Sequence, residues 1–389
     1  MNIVKRKELV NSIMDCKTDY KVKLLCGVRG CGKSTLLDLI IEELKRRGVR
    51  EDKIFKFSFF SCKLKNKSYT ELYEYIAGKI TEKSYLFFDD VDSFDRWQSI
   101  LYFLGNDFDC EVYAAVNYSQ FFTKEDRFYL IGKSESFNIC PFSFKEFVEY
   151  HNEFGSENKS TRKLFSDYVK IGGMPDLFEK HINHNDLLDF IANQEFSKVT
   201  GVRGFSCREF LEYMIFNFTD VFSRRDIERY EYLDLNNNEL NSLLYVLNNS
   251  QFMLESGVAF DSNSFNLKTK YYLIDHGFYK LVYHNHLHVF QRIIKNIIFV
   301  ELLQRGYKVF FKQKRGVYVD FICHNFKRHI AIQFNSVILN EHIIQREIDD
   351  LNTVPDYFEK YIITTSDYDL SDYGIKHLNV IDFLLGDEI

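Results

Sequence analysis

The stretch GVRGCGKST, Gly27 to Thr35, limits the folds open to this chain more than any other feature. It satisfies G-x-x-x-x-G-K-[ST] through Gly27, Gly32, Lys33 and Ser34, with a further glycine at Gly30. The apolar run VKLLC precedes it and LLDLIIEELKRRG follows, so the glycines fall between a β-type and a helix-type segment. That context matters. Glycines let backbone N–H groups converge on phosphate oxygens, and the start of a helix adds partial positive charge. Lys33 is placed to reach β- and γ-phosphates, and Ser34 to offer its hydroxyl to Mg2+. Gly27, Gly30, Cys31, Gly32, Lys33, Ser34 and Thr35 are therefore read as a nucleotide-binding set. Nothing in the loop itself separates ATP from GTP.

The helix reading rests on periodicity. Leu36, Leu37, Leu39, Ile40, Ile41 and Leu44 cluster on one side, while Asp38, Glu42, Glu43 and Lys45 take the other. Gly48 stands where a C-terminal glycine cap belongs. A phosphate loop of this type needs an acidic partner on a neighbouring strand, and SYLFFDDVDSF supplies one. Tyr85 to Phe88 reads as a buried parallel strand ending in Asp89 and Asp90. Asp89 is expected to hold the metal, and Asp90 takes the position from which a carboxylate activates the attacking water.

Further β-like runs lie at 53–60, 110–117 and 134–140, alternating with helical patterns. Together they predict a three-layer α/β core with a parallel sheet over residues 1–145. Asn117 closes the run at 110–117 and is open to two readings, a γ-phosphate sensor or a strand-end cap.

With 389 residues the chain is too long for one ordinary core, so two or three domains are expected. A formal net charge of -6 gives no global electrostatic reason to bind nucleic acid. The eight cysteines show no metal-type pairing, and no secretory leader pattern opens the chain; both point to a reduced, cytoplasmic setting. The most apolar later run, at 293–303, is short and carries Lys295 and Glu301, which excludes a membrane span there.

Residues 146–200 read as a helical lid or linker. Residues 201–285 carry short helices and then a hairpin-like stretch with a polar tip, a winged-helix-like order. Ser223 is placed to cap the second helix of that segment, and Asn237 or Asn238 the third. The third helix, NNNELNSLLYVLNN, holds no lysine or arginine, which favours a protein contact over a DNA groove. His284, His286 and His288 share one side at strand spacing, and read either as an interface cluster or as transition-metal ligands.

Taken in order, GVRGCGKSTLL (27–37), YLFFDDVDSFDRW (85–97), CPFSFKEFVEY (140–150), GGMPD (172–176), KYYLIDHGFY (270–279), FVELLQRGYKVFFKQKRGVYVDFI (299–322) and HLNVIDFLLGD (377–387) carry a resemblance over nearly the whole chain. The chain is similar to bacterial and archaeal AAA-superfamily ATPases with a C-terminal domain of unknown function. The resemblance implies an ATPase core, a winged-helix-like segment and, over 286–389, a fold like the PD-(D/E)XK nucleases. It also implies that GGMPD is a hinge transmitting nucleotide state.

The chain departs from that pattern at several positions. Asp90 replaces the usual glutamate, one methylene short for positioning water. AVNY (115–118) replaces Thr-Gly-Ser-Asn, and Ile131, Gly132 and Lys133 replace Ser-Gly-Arg. Lys133 is a point charge without the planar fork of arginine. In the nuclease-like segment Asp320 is kept, but Gln333 and Asn335 stand for the second carboxylate and the lysine, and Lys295 stands where relatives have an acid. One carboxylate does not hold a catalytic divalent ion, so nuclease activity is not expected.

The sequence therefore predicts an ATP-binding protein using Mg2+, a slow or partner-dependent ATPase that couples nucleotide state to its C-terminal part. The alternatives are an ATP-stabilised scaffold that does not hydrolyse and a nucleotide-gated DNA binder. A protein partner or self-association is expected, and no membrane contact.

Overall fold

The computed structural model describes the chain except for residues 1–2, 17–19, 60–63, 65, 118–126, 131, 156–157, 179–181, 230–232, 260–267, 284–288, 315, 337–340, 368, 370, 372–373 and 387–388. His284, His286, His288, Ile131 and the tip of the 253–273 hairpin thus lie outside the described residues.

After helix α1 (Lys7–Met14), the first sheet contains β1 (Val22–Cys26), β2 (Ile54–Ser58), β3 (Ser84–Asp89), β4 (Cys110–Val116) and β5 (Ser134–Asn138). It is a five-stranded sheet in the order β2-β3-β4-β1-β5, and each neighbouring pair runs parallel. Central strands are mostly apolar because both faces are covered, and even Lys23 of β1 is buried, its ammonium donating to the Tyr113 hydroxyl. Leu25, Phe87, Tyr113 and Ala115 meet Leu36, Leu37 and Ile40 of α2 (Lys33–Arg46) on one face. Leu24, Leu86, Phe88 and Val112 meet α3 (Tyr69–Ala77) and α4 (Trp97–Asp107) on the other. This is the expected three-layer α/β arrangement. The run at 53–60 is shorter as a strand than expected, since Glu51–Lys53 forms a 3-10 turn ahead of it.

The α2 C-terminus closes as a Schellman motif. Gly48 has φ +90°, its N–H donates to Lys45 O, and Val49 N–H donates to Leu44 O.

Helices α5 (Phe144–Phe154), α6 (Thr161–Ile171) and α7 (His184–Phe190) follow, and α7 runs on into a π-helix over Ile191–Phe196. In α5 the Ser143 side chain accepts from Glu146 N–H while the Glu146 carboxylate accepts from Ser143 N–H. That reciprocal cap explains why SFKE opens a helix directly after β5. Of the two glycines in GGMPD only Gly172 has positive φ, at +94°. Pro175 opens the next short helix, where its missing N–H costs nothing.

Next come α8 (Gly204–Phe216), β6 (Val221–Phe222), α9 (Asn237–Ser250), β7 (Met253–Gly257) and β8 (Thr269–Leu273). The three strands form an antiparallel sheet in the order β6-β8-β7. The α9 cap is Asn236, one residue before the expected Asn237 or Asn238. Its side chain accepts from both Asn238 N–H and Glu239 N–H, and the Glu239 carboxylate answers by accepting Asn236 N–H. The preceding asparagine wins because only there is Glu239 three residues on.

The last part holds α10 (Phe290–Gln304), β9 (Lys308–Lys314), β10 (Val317–His324), β11 (His329–Asn335), α11 (Glu341–Asn352), β12 (Glu359–Thr364), β13 (Ile375–Asn379) and α12 (Val380–Leu385). Its five-stranded sheet is ordered β13-β12-β11-β10-β9. Pairs β9–β10 and β10–β11 are antiparallel, whereas β11–β12 and β12–β13 are parallel. One apolar cluster runs from the α2 side of the first sheet, through Phe147, Tyr168 and Phe278, to Phe321 and Ile332 of this second sheet. No helix among the described residues is long and apolar enough to cross a membrane.

Candidate nucleotide site

The loop after β1 and the start of α2 bring the expected residues to the C-terminal ends of the parallel strands. Gly30 and Gly32 have φ of +83° and +97°, a region an L side chain rarely adopts. Gly27 is constrained by close approach instead, since a Cβ there would sit 2.5 Å from Ile139 O and 2.8 Å from Cys31 Sγ. The Cys31 side chain is therefore buried beneath the loop, and only its backbone is available to a phosphate. Thr35 lies in the first turn of α2.

Lys33 Nζ donates to Gly27 O at 2.7 Å, Val28 O at 2.9 Å and Asn117 Oδ1 at 3.0 Å. Ser34 Oγ donates to Asp89 Oδ1 at 2.8 Å, joining the helix start to the end of β3. Asp89 is buried, and Asp90 follows it with φ +57°, opening a 3-10 turn over Val91–Ser93. Lys33, Ser34, Asp89, Asp90 and Asn117 thus converge. The Asn117 side chain engages Lys33 directly, so it does more than end a strand.

Lys133 is not brought in. Ser134, next to it, pairs with Val22 at the start of β1, whereas the loop leaves β1 after Cys26, paired with Asn138. At about 3.3 Å per strand residue, Lys133 is more than about 10 Å away, at the opposite end of the strands. Its ammonium lies 4.2 Å from the Tyr102 ring centroid. It cannot act on a phosphate held by its own loop.

Two acidic residues that spacing did not single out also reach the site. Asp92 is 6% exposed, its Oδ2 accepts Asn117 N–H at 2.7 Å, and its Oδ1 has no partner among the described residues. Burial pushes the Asp92 carboxyl up to about 6; the Asn117 N–H opposes this, the Asp90 charge adds to it, and Lys33 opposes it. The sequence carried a signal here, DDVD, in which Asp92 was the unused acid. Glu195 is 3% exposed in the π-helix, and its Oε1 likewise has no partner among the described residues. Burial raises its carboxyl to about 7, against the pull of Lys33; Asp92 adds to the rise and Arg29 opposes it. No motif marks Glu195, because ANQEFSK has no pattern of its own.

Residues of GGMPD cover the loop. A Cβ at Gly30 would lie 3.2 Å from Asp176 Oδ2, and one at Gly32 would lie 3.9 Å from Pro175 Cγ. On the opposite flank the Arg29 guanidinium stands 4.1 Å from the Phe190 ring centroid of α7. Behind GGMPD, the buried Asp275 carboxylate accepts Gly173 N–H through Oδ2 and Gly277 N–H through Oδ1, both at 2.7 Å. His276 Nε2 lies 2.8 Å from Tyr168 O. The loop cover is therefore tied to the segment just after β8.

The donor set suits Mg2+. Ser34 Oγ and Asp89 Oδ1 are hard oxygens within 2.8 Å of each other, and Mg2+ is commonly held by one or two such groups together with substrate phosphates.

At the second sheet, Asp320 is fully buried on β10, with Gln333 and Asn335 beside it on β11. Lys295 Nζ is 2.5 Å from Asp320 Oδ1, while Asp320 Oδ2 accepts Phe334 N–H at 3.0 Å. Gln333 Oε1 accepts Asp320 N–H at 3.0 Å, and Asn335 Nδ2 donates to Glu347 Oε1 at 2.7 Å. Lys270 also sits there, bonded to the Tyr318 hydroxyl, and burial lowers its ammonium to about 8. Lys295 and the backbone amide of Phe334 occupy the Asp320 carboxylate, and the second carboxylate of the cluster, Glu347, accepts from Asn335. No group of three or more metal-type side chains occurs among the described residues. Glu301 lies apart, paired with Arg305 at 2.8 Å.

A protein-family model described as an AAA domain matches residues 19–148. An uncharacterised protein of Haemophilus influenzae is 24% identical, covering 98% of this chain and 99% of its own length. An uncharacterised protein of Methanocaldococcus jannaschii is 26% identical, covering 83% of this chain and 76% of its own. Among solved structures, the Walker-type ATPase paby2304 of Pyrococcus abyssi is similar with a TM-score of 0.45 and 13% identity, covering 72% of this chain and 96% of that one. AMPPCP-bound DnaA from Aquifex aeolicus gives a TM-score of 0.33 and 18% identity, covering 64% and 79%. The family match spans the loop, Ser34, Asp89 and Asn117. Residues 19–148 of this chain are thus similar to an AAA domain.

Proposed function

We propose that this protein binds ATP with Mg2+ and hydrolyses it slowly, passing nucleotide state to its C-terminal part. The observation that carries this is the pair of contacts from consecutive residues at the start of α2. Lys33 is held by loop carbonyls and Asn117, while Ser34 meets Asp89. Lys33 binds the β- and γ-phosphates, Ser34 and Asp89 hold the metal, and Asn117 orients Lys33 toward the γ end. The bound ion neutralises charge on the phosphates. Slow turnover follows from Asp90, a short carboxylate on left-handed backbone where a glutamate positions water better. Efficient hydrolysis then needs a group from elsewhere in the chain or from a partner.

The link to the rest of the chain is Asp275. It fixes Gly173, and Gly173 belongs to the segment whose Pro175 and Asp176 lie on the phosphate loop. Phosphates entering the loop displace that cover, and the displacement is felt at residues 275–277. We read residues 201–285 as a winged-helix-like unit that contacts protein, because α9 offers no basic side chain to a nucleic acid. Residues 286–389 are read as a nuclease-like fold without nuclease activity, with Lys295 on Asp320 in place of a divalent ion.

Phosphate release by the wild-type chain, Lys33→Ala and Asp90→Asn, with and without DNA, tests this reading. Turnover that Lys33→Ala abolishes and DNA leaves unchanged is expected. Tight ATP binding with no release under any condition would favour the scaffold alternative, and salt-sensitive stimulation by DNA would favour a DNA-gated one.

A further inference from the structure

The strand ends offer the site no glutamate, but the π-helix after α7 does. Glu195 is 3% exposed, and its Oε1 has no hydrogen-bond partner among the described residues. Buried polar atoms are nearly always paired, so an orphan oxygen points to a partner that the described residues do not supply. The charges that Glu195 feels are Lys33, Asp92 and Arg29, from the phosphate loop, the start of α2 and the turn after β3. Its flank of the helix is fixed there as well, since the Phe190 ring lies under the Arg29 guanidinium. A π-turn brings residue i+5 round beneath residue i, which sets Glu195 one turn on from Phe190. Such turns are rare, and they concentrate at functional sites.

We propose that Glu195 is the catalytic carboxylate of this ATPase. The inference rests on the ATPase reading above. Water forms its bond to the γ-phosphorus as the bond from that phosphorus to the β-bridging oxygen breaks. The bonding pair leaves with ADP, and the proton of the attacking water passes to the Glu195 carboxylate. Asp92 is less suited, because its Oδ2 is committed to Asn117 N–H. Asp90 is one methylene shorter and continues directly from the metal-holding Asp89. A carboxylate whose affinity for a proton lies near neutral is also the efficient acceptor at working pH.

The test uses the full chain, wild type and Glu195→Gln, with three readouts. Phosphate release is expected to fall about 100-fold or more in Glu195→Gln, and less than about 10-fold in Asp90→Asn. By calorimetry, Glu195→Gln is expected to bind ADP as the wild type does and ATP equally or more tightly, because a negative charge facing the γ-phosphate is gone.

The third readout is thermal unfolding without nucleotide. The folded chain holds the Glu195 proton up to about 7 against an ordinary 4.5, so wild-type stability falls as pH rises through that window and is level above it. Asp92, held up to about 6, keeps the lower part of such a fall, so Glu195→Gln is expected to lose the part between about 6 and 7 and to remain folded throughout.

Wild-type hydrolysis with Glu195→Gln within threefold of it would overturn the proposal and leave the ATPase reading standing. Loss of ADP binding together with hydrolysis would make Glu195 a support for the loop and overturn it equally. ATP binding without any wild-type release would sink both readings.

Discussion

Lys33→Ala is expected to weaken ATP binding by about 100-fold or more and to abolish phosphate release. Lys33 Nζ is held by two loop carbonyls and Asn117 Oδ1, so the ammonium stands at the cradle before any phosphate arrives. Charge-assisted hydrogen bonds contribute about 1.5–3 kcal/mol each, and two to the phosphates account for the expected loss. A competing effect must be separated. Removing the ammonium also leaves Gly27 O and Val28 O without that donor, which lowers the stability of the nucleotide-free chain by about 1–2 kcal/mol. The two are told apart by the ATP-induced rise in melting temperature. Ligand at 100 times its Kd adds about 2.7 kcal/mol to the wild type. That rise should vanish in Lys33→Ala, while the nucleotide-free melting temperature drops only slightly. An unchanged ATP-induced rise would mean that nucleotide binds elsewhere.

The second large effect is expected far from the phosphates. Asp275 is 2% exposed, and its two carboxylate oxygens each accept one backbone N–H, from Gly173 and Gly277. Asp275→Ala strands both donors in the interior at about 1–3 kcal/mol each, partly offset because a buried charge is removed with them. A net loss of about 3 kcal/mol is expected, lowering the melting temperature by roughly 4 °C for a chain of this length. Gly172 sets the geometry of this contact, since a Cβ there would come within 2.1 Å of Asp275 Oδ1. The informative part is ATP affinity. Asp275 touches no residue of the phosphate loop, yet Gly173 leads directly into Pro175 and Asp176, which do lie on it. A change of about threefold or more in ATP affinity measured below the melting transition would show the coupling, and an unchanged affinity would show that Asp275 only holds the fold.

Much of the first sheet was legible because its central strands are covered on both faces and so read as mostly apolar runs. Val22–Cys26, Ser84–Asp89 and Cys110–Val116 fall within two residues of their expected limits. The phosphate loop was legible for a different reason, since glycine spacing encodes backbone geometry directly. Residues brought to the site from far along the chain were not. Glu195 arrives through an i+5 turn that no apolar periodicity announces, and Asp275 acts on a glycine 102 residues earlier. Lys133 shows the opposite failure. It stands where the resemblance has an arginine, but strand register puts it at the opposite end of the strands from the phosphate loop. Sequence order does not report which end of a strand a neighbouring loop occupies.

The central claim is that the start of α2 and the end of β3 together form a Mg2+-nucleotide site, and one titration addresses it most directly. ATP is titrated into the full chain by calorimetry with Mg2+, with Mg2+ removed by chelator, and into Asp89→Asn with Mg2+. The Ser34–Asp89 contact predicts one saturable site per chain, with affinity falling about 10-fold or more both without Mg2+ and in Asp89→Asn. Saturable binding of equal strength in all three would contradict it.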